Sequence, residues 1–318
     1  RPGSTGRLNP SNPRPAHGSI ISRMFGPPGP VPPYVCLPKM HNSAGAAYLG
    51  TTAAPFVVNA DPNAPGFSVP DLVPPLAVDP KRFGARRQLL GQIDRYKQAA
   101  EIEANRGAKA LTTFQQKAFD LISSPETKAA FDIKQESDTL RDEYGRSSLG
   151  QSCLMARRLV EAGVRCVTID HTNWDTHYNN FTVLKNDLLP HLDAGLSTLL
   201  RDLSDRGRLQ STMLVVMGEF GRTPRVNKHA GRDHWGPSNC LLLAGGGFQG
   251  GRVVGATNSR GEKPVADPVG PADLAATMYR CLGIDPNHEF YTPEGRPVPI
   301  VRSEQPRVGK ECRSRWSP

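Results

Sequence analysis

The 318-residue chain contains no apolar run long enough to cross a bilayer as a helix, which takes about 18 residues or more. None of its six cysteines forms a Cys-x-x-Cys pair, which argues against a zinc–thiolate site. Cys153, Cys166, Cys240 and Cys281 fall inside apolar runs and read as small buried hydrophobes, and a chain of this length needs no disulfide framework. No Gly-x-y period accompanies the 31 glycines and 30 prolines, so they mark long loops and turns. No solenoid-type repeat is present. No acidic residue precedes Asp61, and the net charge is +9, but no nucleic-acid reader motif or interleaved aromatic patch goes with that charge. Solvated basic termini are the simpler account, and no nucleic-acid partner is expected. The chain also opens without Met, without a basic-then-apolar leader and without a first strand. The expectation is that the natural protein has further residues upstream of Arg1.

What is present is a helix and strand alternation. Residues 1–35 carry nine prolines before Tyr34 and read as an extended surface segment. PFVVNA at 55–60 is a short strand candidate, and Asp79-Pro80 is a helix start. Residues 85–145 read as a helical insertion: Leu89, Leu90, Ile93 and Tyr96 share one helical stripe, and Phe114, Ala118, Leu121 and Ile122 share another. Ser124-Pro125-Glu126 is a helix-start signature. Leu149, Cys153, Ala156 and Val160 line a further helix that Gly163 would cap. VRCVTID (164–170) follows as a strand. The leucine-striped stretch 181–207 is helical, with Pro190 expected to kink or divide it. TMLVVMG (212–218) and CLLLAGG (240–246) read as strands of the fully buried kind, and 271–283 as a short helix between Pro and Gly. This order predicts a layered α/β domain with a mostly parallel sheet flanked by helices, in which ligands sit beyond the carboxyl ends of the strands.

Those ends are where the chemistry-bearing residues collect. His171-Thr-Asn-Trp-Asp175-Thr-His177 follows the first of the three later strands. Gly218-Glu219-Phe220-Gly221-Arg222-Thr223-Pro224 follows the second, and Gly231-Arg232-Asp233-His234-Trp235 precedes the third. Carboxylate plus neutral imidazole is a ligand mixture for zinc, manganese or iron. Asp175, His177, Glu219 and His234 are the candidate metal ligands. Asp233 is placed either to bind directly or to orient an imidazole from behind. Arg222 and Arg232 offer planar donor forks for a tetrahedral oxyanion. Each has a plainer reading: Asp175 as a turn residue, the histidines as hydrogen-bonded packing residues, Arg222 as a salt-bridge partner of Glu219. His171 and His229 are not expected to be ligands.

TNWDTHYNNF, VVMGEFGRTPRVN and GRDHWGPSN, with YGRSSLGQSCLMARRLVEAGVR and VGPADLAATMYRCLGIDP, together resemble the family called domain of unknown function 1501. The resemblance covers most of the chain, and that family is similar to the alkaline phosphatase and sulfatase superfamily. It implies an esterase site with one or two metals. Asp175 and His177 look like the superfamily's first Asp and His, Glu219 stands where an Asp-His pair is usual, and His234 looks like the last histidine. Phe220 replaces a histidine, which puts a second metal in doubt. The metal-binding aspartate of the superfamily's first strand and its Ser, Thr or Cys nucleophile would lie upstream. Ser4, Thr5 and Ser11 are not nominated in their place.

The expectation is therefore a single partial domain over 1–318, alkaline-phosphatase-like and incomplete at its N-terminal side, with the insertion at 85–145. Its expected function is metal-dependent hydrolysis of small-molecule or polysaccharide phosphate or sulfate esters, with Arg222 holding the anion. Zinc or manganese is the favoured divalent metal, with calcium or magnesium as alternatives. The alternative function is a non-catalytic surface protein of the same fold that binds a metal or a sulfated polysaccharide. The resemblance further implies a bacterial protein, periplasmic or secreted.

Overall fold

The computed structural model describes residues 14–27, 29–69, 72, 85 and 124–301. They gather into two compact units, one formed by the chain to Arg141 with Arg146–Asp170, the other by Asp142–Gly145 with the chain from His171 onward. The helix start at Asp79-Pro80 and the two helical stripes expected between 89 and 122 lie outside the described residues.

The first unit is built on a three-stranded parallel sheet of order β2-β1-β3. Its strands are β1 (Tyr34–Leu37), β2 (Phe56–Val57) and β3 (Cys166–Ile169). β1 pairs with both neighbours, in register Val35↔Phe56 and Val35↔Val167. All four β1 residues are buried, as a central parallel strand requires. Side chains alternate across a strand, so Val35 and Leu37 enter one core with Val58, Phe131, Met155 and Leu159, while Tyr34 and Cys36 enter another with Ala44. Fully burying a side chain such as Leu159 is worth about 1.5–3 kcal/mol. The Tyr34 hydroxyl, carried into this interior, hydrogen-bonds Thr168 Oγ1 at 3.2 Å. Burial pushes the thiols of Cys36 to about 11 and of Cys153 and Cys166 to about 12, which makes them inert core groups. Cys240, by contrast, is exposed, against its reading as a buried hydrophobe.

Among the described residues of the proline-rich opening, a helix replaces part of the extended surface segment its composition predicted. Residues His17–Phe25 form helix α1, with Ile20 and Ile21 buried. The prolines flank this stretch rather than enter it, so nothing in it breaks the i to i−4 bonds. The remaining helices of the unit follow their local signals. α2 (Pro125–Phe131) starts with Pro in the first turn, its Ser124 cap accepting from Thr127 N–H. α3 spans Asp138–Glu143, with its last two residues counted in the second unit. α4 (Ser148–Glu161) carries the predicted apolar stripe. It ends where Gly163, at φ 100°, donates to Val160 O (3.0 Å) and Val164 donates to Leu159 O (2.9 Å). That is the Schellman pairing, which a left-handed glycine permits at no steric cost.

In the second unit the leucine-striped stretch runs as α5 (Asn180–Val183), a π-helical turn at Leu184–Leu188 and α6 (Leu189–Asp205). The widened turn accommodates Pro190, which has no N–H to continue the ladder. Tyr144, fully buried, donates to Asp202 Oδ2 on this helix at 2.9 Å. β4 (Met213–Met217) and β7 (Leu241–Gly245) form a separate two-stranded sheet, and they run antiparallel. This departs from the mostly parallel sheet expected through both runs. A parallel return needs a crossover, commonly a helix, and residues 218–240 contain none. The two strands are also half-buried rather than enclosed, with Met217 56% and Leu242 43% exposed. Beyond them lie the short pairs β8 (Ala256–Thr257) with β9 (Pro264–Ala266) and β10 (Glu289–Tyr291) with β11 (Pro297–Pro299), separated by α7 (Pro271–Cys281). No helix among the described residues is long and apolar enough to cross a membrane.

One buried ionic cluster ties α4 to the segment after α2. Arg157, 2% exposed, pairs with Glu161 at 2.7 Å and with Glu136 at 3.0 Å, and Arg158 also bonds Glu136. Burial works to raise the Glu136 carboxyl pKa, but the hydrogen bonds from Arg157 and Arg158 outweigh it and hold the group below its ordinary range. Removing one partner of a buried pair strands the other charge. Glu136→Ala is expected to cost about 3 kcal/mol at neutral pH, the low end of that effect because Glu161 remains. The folded-state pKa is depressed, so this contribution is complete above the unfolded value of about 4.3 and disappears as the pH falls through the lower folded value. Urea melts of both proteins from neutral to acid pH should show the gap closing on acidification. A constant gap would show that the lost stability is not ionic.

Candidate metal centre

The site is a junction of two loops within the second unit. One follows β3 and carries Asp175 and His177. The other is a hairpin whose arms begin at β5 (Gly221–Arg222) and end at β6 (His234–Trp235). β5 and β6 pair antiparallel with Arg222 directly opposite His234. Main-chain bonds stitch the two loops together: Arg232 N–H to Thr176 O (3.1 Å), Asn179 N–H to His229 O (3.1 Å) and Asn180 N–H to Ala230 O (2.9 Å). The approach is so close that a Cβ on Gly231 would lie 1.8 Å from His177 O. Only glycine fits there.

This stitching brings three of the four candidate ligands to one point. His177 Nε2 lies 3.0 Å from Asp175 Oδ1, His234 Nε2 lies 2.9 Å from the same oxygen, and the two Nε2 atoms are 3.2 Å apart. Ligand atoms about 2.0 Å from a tetrahedral ion stand about 3.3 Å from one another, so the triangle has the dimensions of one face of a zinc site. Two imidazoles and one carboxylate are also a donor set that zinc accepts. Among the described residues, Asp175, His177 and His234 are the group of His, Cys, Asp and Glu side chains that could hold an ion. Glu219 is not brought into it; it is exposed in the bend between β4 and β5.

The surroundings assign work to the neighbours. Asp233 Oδ1 lies 2.7 Å from His177 Nδ1, the placement of a carboxylate that orients a ligating imidazole. Hydrogen bonds from His177 and Asn227 hold the Asp233 carboxyl below its ordinary range. At Asp175, burial works to raise the pKa, and hydrogen bonds from His234 and Arg222 outweigh it, leaving it lowered. Both carboxylates are therefore anionic at neutral pH. With a proton on His177 Nδ1 directed at Asp233, the Nε2 lone pair faces Asp175 Oδ1. That convergence is repulsive until a proton or a metal cation enters it.

Arg222 pairs with Asp175. Its Nη2 donates to Asp175 Oδ1 (2.7 Å) and Trp174 O (3.0 Å), and its Nη1 to Arg232 O (3.2 Å). Arg232 is used structurally: its Nη1 donates to Thr223 O and Pro224 O, and its guanidinium lies 5.4 Å over the Phe181 ring. Phe220 packs its ring 4.3 Å from that of His234 and buttresses this candidate ligand. His171 accepts from Trp174 Nε1 and His229 packs on Tyr178, both outside the ligand group.

Residues 3–310 match the family described as Protein of unknown function (DUF1501). The chain belongs to this family. No curated protein and no solved structure matches it. In this DUF1501 chain the residue that sequence reasoning missed is Asn227, whose side chain makes four hydrogen bonds within the junction. Its only sequence signal was its place in the VVMGEFGRTPRVN string.

If the close approach at Gly231 holds the junction together, Gly231→Ala must push the loops apart at an overpacking cost of about 1–3 kcal/mol. Gly236→Ala is the control, because a Cβ there meets nothing within 4 Å. Thermal melts should show a clear loss for the first substitution and a change within about 0.5 kcal/mol for the second, as is usual for surface substitutions. Equal melting temperatures for the two variants would remove the packing argument.

Proposed function

We propose that this DUF1501 chain is a metal-dependent hydrolase of phosphate or sulfate esters, on an alkaline-phosphatase-like framework. The observation that carries the reading is the triangle of Asp175 Oδ1, His177 Nε2 and His234 Nε2, with sides of 2.9–3.2 Å. These residues would hold one divalent cation, zinc or manganese by donor chemistry. Bound there, the ion supplies a Lewis acid for the ester oxygen. The chain's own groups do the rest. Asp233 fixes the His177 ring, Phe220 backs His234, and Arg222 sets Asp175 while placing a guanidinium beside the ligands. A phosphate or sulfate oxygen arriving at Arg222 competes with Asp175 for Nη2, and the planar fork suits such an anion. The ester is carried by a small molecule or a polysaccharide, and the proposed location is periplasmic or secreted.

A second reading, metal- or anion-binding without turnover, draws on the openness of the site: the Asp175 side chain is 64% and that of His234 52% exposed. Reacting groups so open to water gain less from electrostatics than groups in an enclosed cleft.

A metal that binds only the folded state raises its stability by about 2.7 kcal/mol at one hundred times its Kd. Chelator-treated protein should therefore melt higher with added zinc or manganese, and Asp175→Ala and His234→Ala should suppress the rise. Turnover of aryl phosphate or aryl sulfate that returns with metal supports the hydrolase, and metal binding without turnover supports the second reading. Superimposable melting curves with and without metal would overturn both metal readings.

A further inference from the structure

We infer that Asn227 and Asp233 form a positioning relay that fixes the tautomer and aim of the His177 ring, leaving Nε2 as the atom turned toward Asp175 and His234. The consequence for metal binding rests on the function proposed above. The relay itself rests on hydrogen-bond geometry.

The Asn227 side chain uses both of its ends. Oδ1 accepts the main-chain N–H groups of His229 and Gly231, each at 2.9 Å, and closes the hairpin tip. Nδ2 donates to the carbonyl of His177 at 3.1 Å and to Asp233 Oδ1 at 3.1 Å. Asp233 Oδ1 is the atom that stands 2.7 Å from His177 Nδ1. One amide therefore grips His177 twice, by its backbone directly and by its ring through Asp233.

A turn-forming asparagine needs only its carbonyl oxygen for the following N–H groups. The two Nδ2 bonds lead out of the turn and into the junction, and they call for a second role. A neutral imidazole carries one proton, and the partner of one nitrogen decides what the other nitrogen does. Asp175 Oδ1 faces Nε2 at 3.0 Å but already accepts from Arg222 and His234, so the shorter 2.7 Å contact with Asp233 draws the proton to Nδ1 and leaves the lone pair on Nε2. Asp233 has a side chain 53% exposed, which alone would leave its carboxylate free to change rotamer. Its backbone is pinned by Thr223, whose N–H donates to Asp233 O (2.9 Å) and whose Oγ1 accepts from Asp233 N–H (3.1 Å). The bond from Asn227 does the same for the carboxylate.

Asn227→Asp separates the two roles. It keeps an oxygen for the hairpin N–H groups but replaces the amide donor with an oxygen that Asp233 repels. Asp233→Ala leaves the turn untouched and serves if the first variant does not fold. The measurements, on the full chain, are zinc affinity by competitive titration and the protonated nitrogen of His177 by long-range proton–nitrogen correlation. The correlation is recorded on metal-free protein, well above the ordinary histidine pKa of about 6.5. The expected wild-type state is His177 protonated on Nδ1. Both variants should lower zinc affinity about 10–100-fold and shift His177 toward protonation on Nε2. The relay is overturned if wild-type His177 carries its proton on Nε2, or if either folded variant keeps the wild-type tautomer and affinity. Wild-type protein that binds no zinc would overturn the metal reading instead, and the tautomer measurement would still decide the relay.

Discussion

Three main-chain hydrogen bonds between the loop at 176–180 and the hairpin at 229–232 are the constraint on which the candidate site depends. Neither segment is part of a long strand. β5 and β6 have two residues each, too few to hold a geometry alone. The loop that carries Asp175 and His177 borrows its rigidity from the hairpin that carries Asp233 and His234, and the hairpin borrows from the loop. A ligand set drawn from separate segments needs such mutual support to keep its atoms within a fraction of an ångström of place. The absence of a side chain at Gly231 is what permits the contact.

The charge pattern around Asp175 follows from that contact. Its Oδ1 faces Arg222 Nη2, His234 Nε2 and His177 Nε2 within 3.0 Å. Arg222 supplies one permanent positive charge, and together with the hydrogen bond from His234 it keeps the carboxylate ionised, while the two imidazole nitrogens also face each other at 3.2 Å. The surface exposure of the group limits what the Arg222–Asp175 pair adds to stability to about 1 kcal/mol. Its value lies in orientation. Under the proposed function, an ion in the triangle would share Asp175 with Arg222, and the arginine would tune how strongly the carboxylate binds.

The sequence made some of this legible and concealed the rest for identifiable reasons. Helix α4 was readable because its apolar stripe and the glycine after it are local signals. Asp175, His177 and His234 stood out because metal-ligating residue types collect beside apolar runs. Helix α1 was hidden by the prolines around it, which dominate composition although none lies within His17–Phe25. β1 was hidden by its four-residue length, since periodicity needs a longer window. The antiparallel pairing of β4 with β7 is not encoded in either apolar run; it follows from the helix-free connection between them. The separation of Glu219 from the other candidate ligands, and the pairing of Arg222 with Asp175, are tertiary outcomes that no local signal carries. Asn227 was invisible because its importance comes from four bonds at once, and asparagine in a loop ordinarily signals only a turn.

The backbone around the site carries a further mark of this dependence. Asn173, Asn179 and Ala230 all adopt positive φ, at 73°, 49° and 55°. Asparagine tolerates that region, but alanine has no polar side chain to favour it, and the left-handed conformation costs about 1–2 kcal/mol for an ordinary residue. Ala230 is also the residue whose carbonyl accepts from Asn180 and whose N–H donates to Asn227 O. The chain at Ala230 is bent into an unfavourable conformation that lets it make both bonds, and the strain is offset by the stitching it completes. Strain that persists only because neighbours over-determine it is concentrated at functional sites. In this fold it sits beside Gly231, one residue from the tightest approach of the two loops, where loss of the stitching would release the strain and the ligand geometry together.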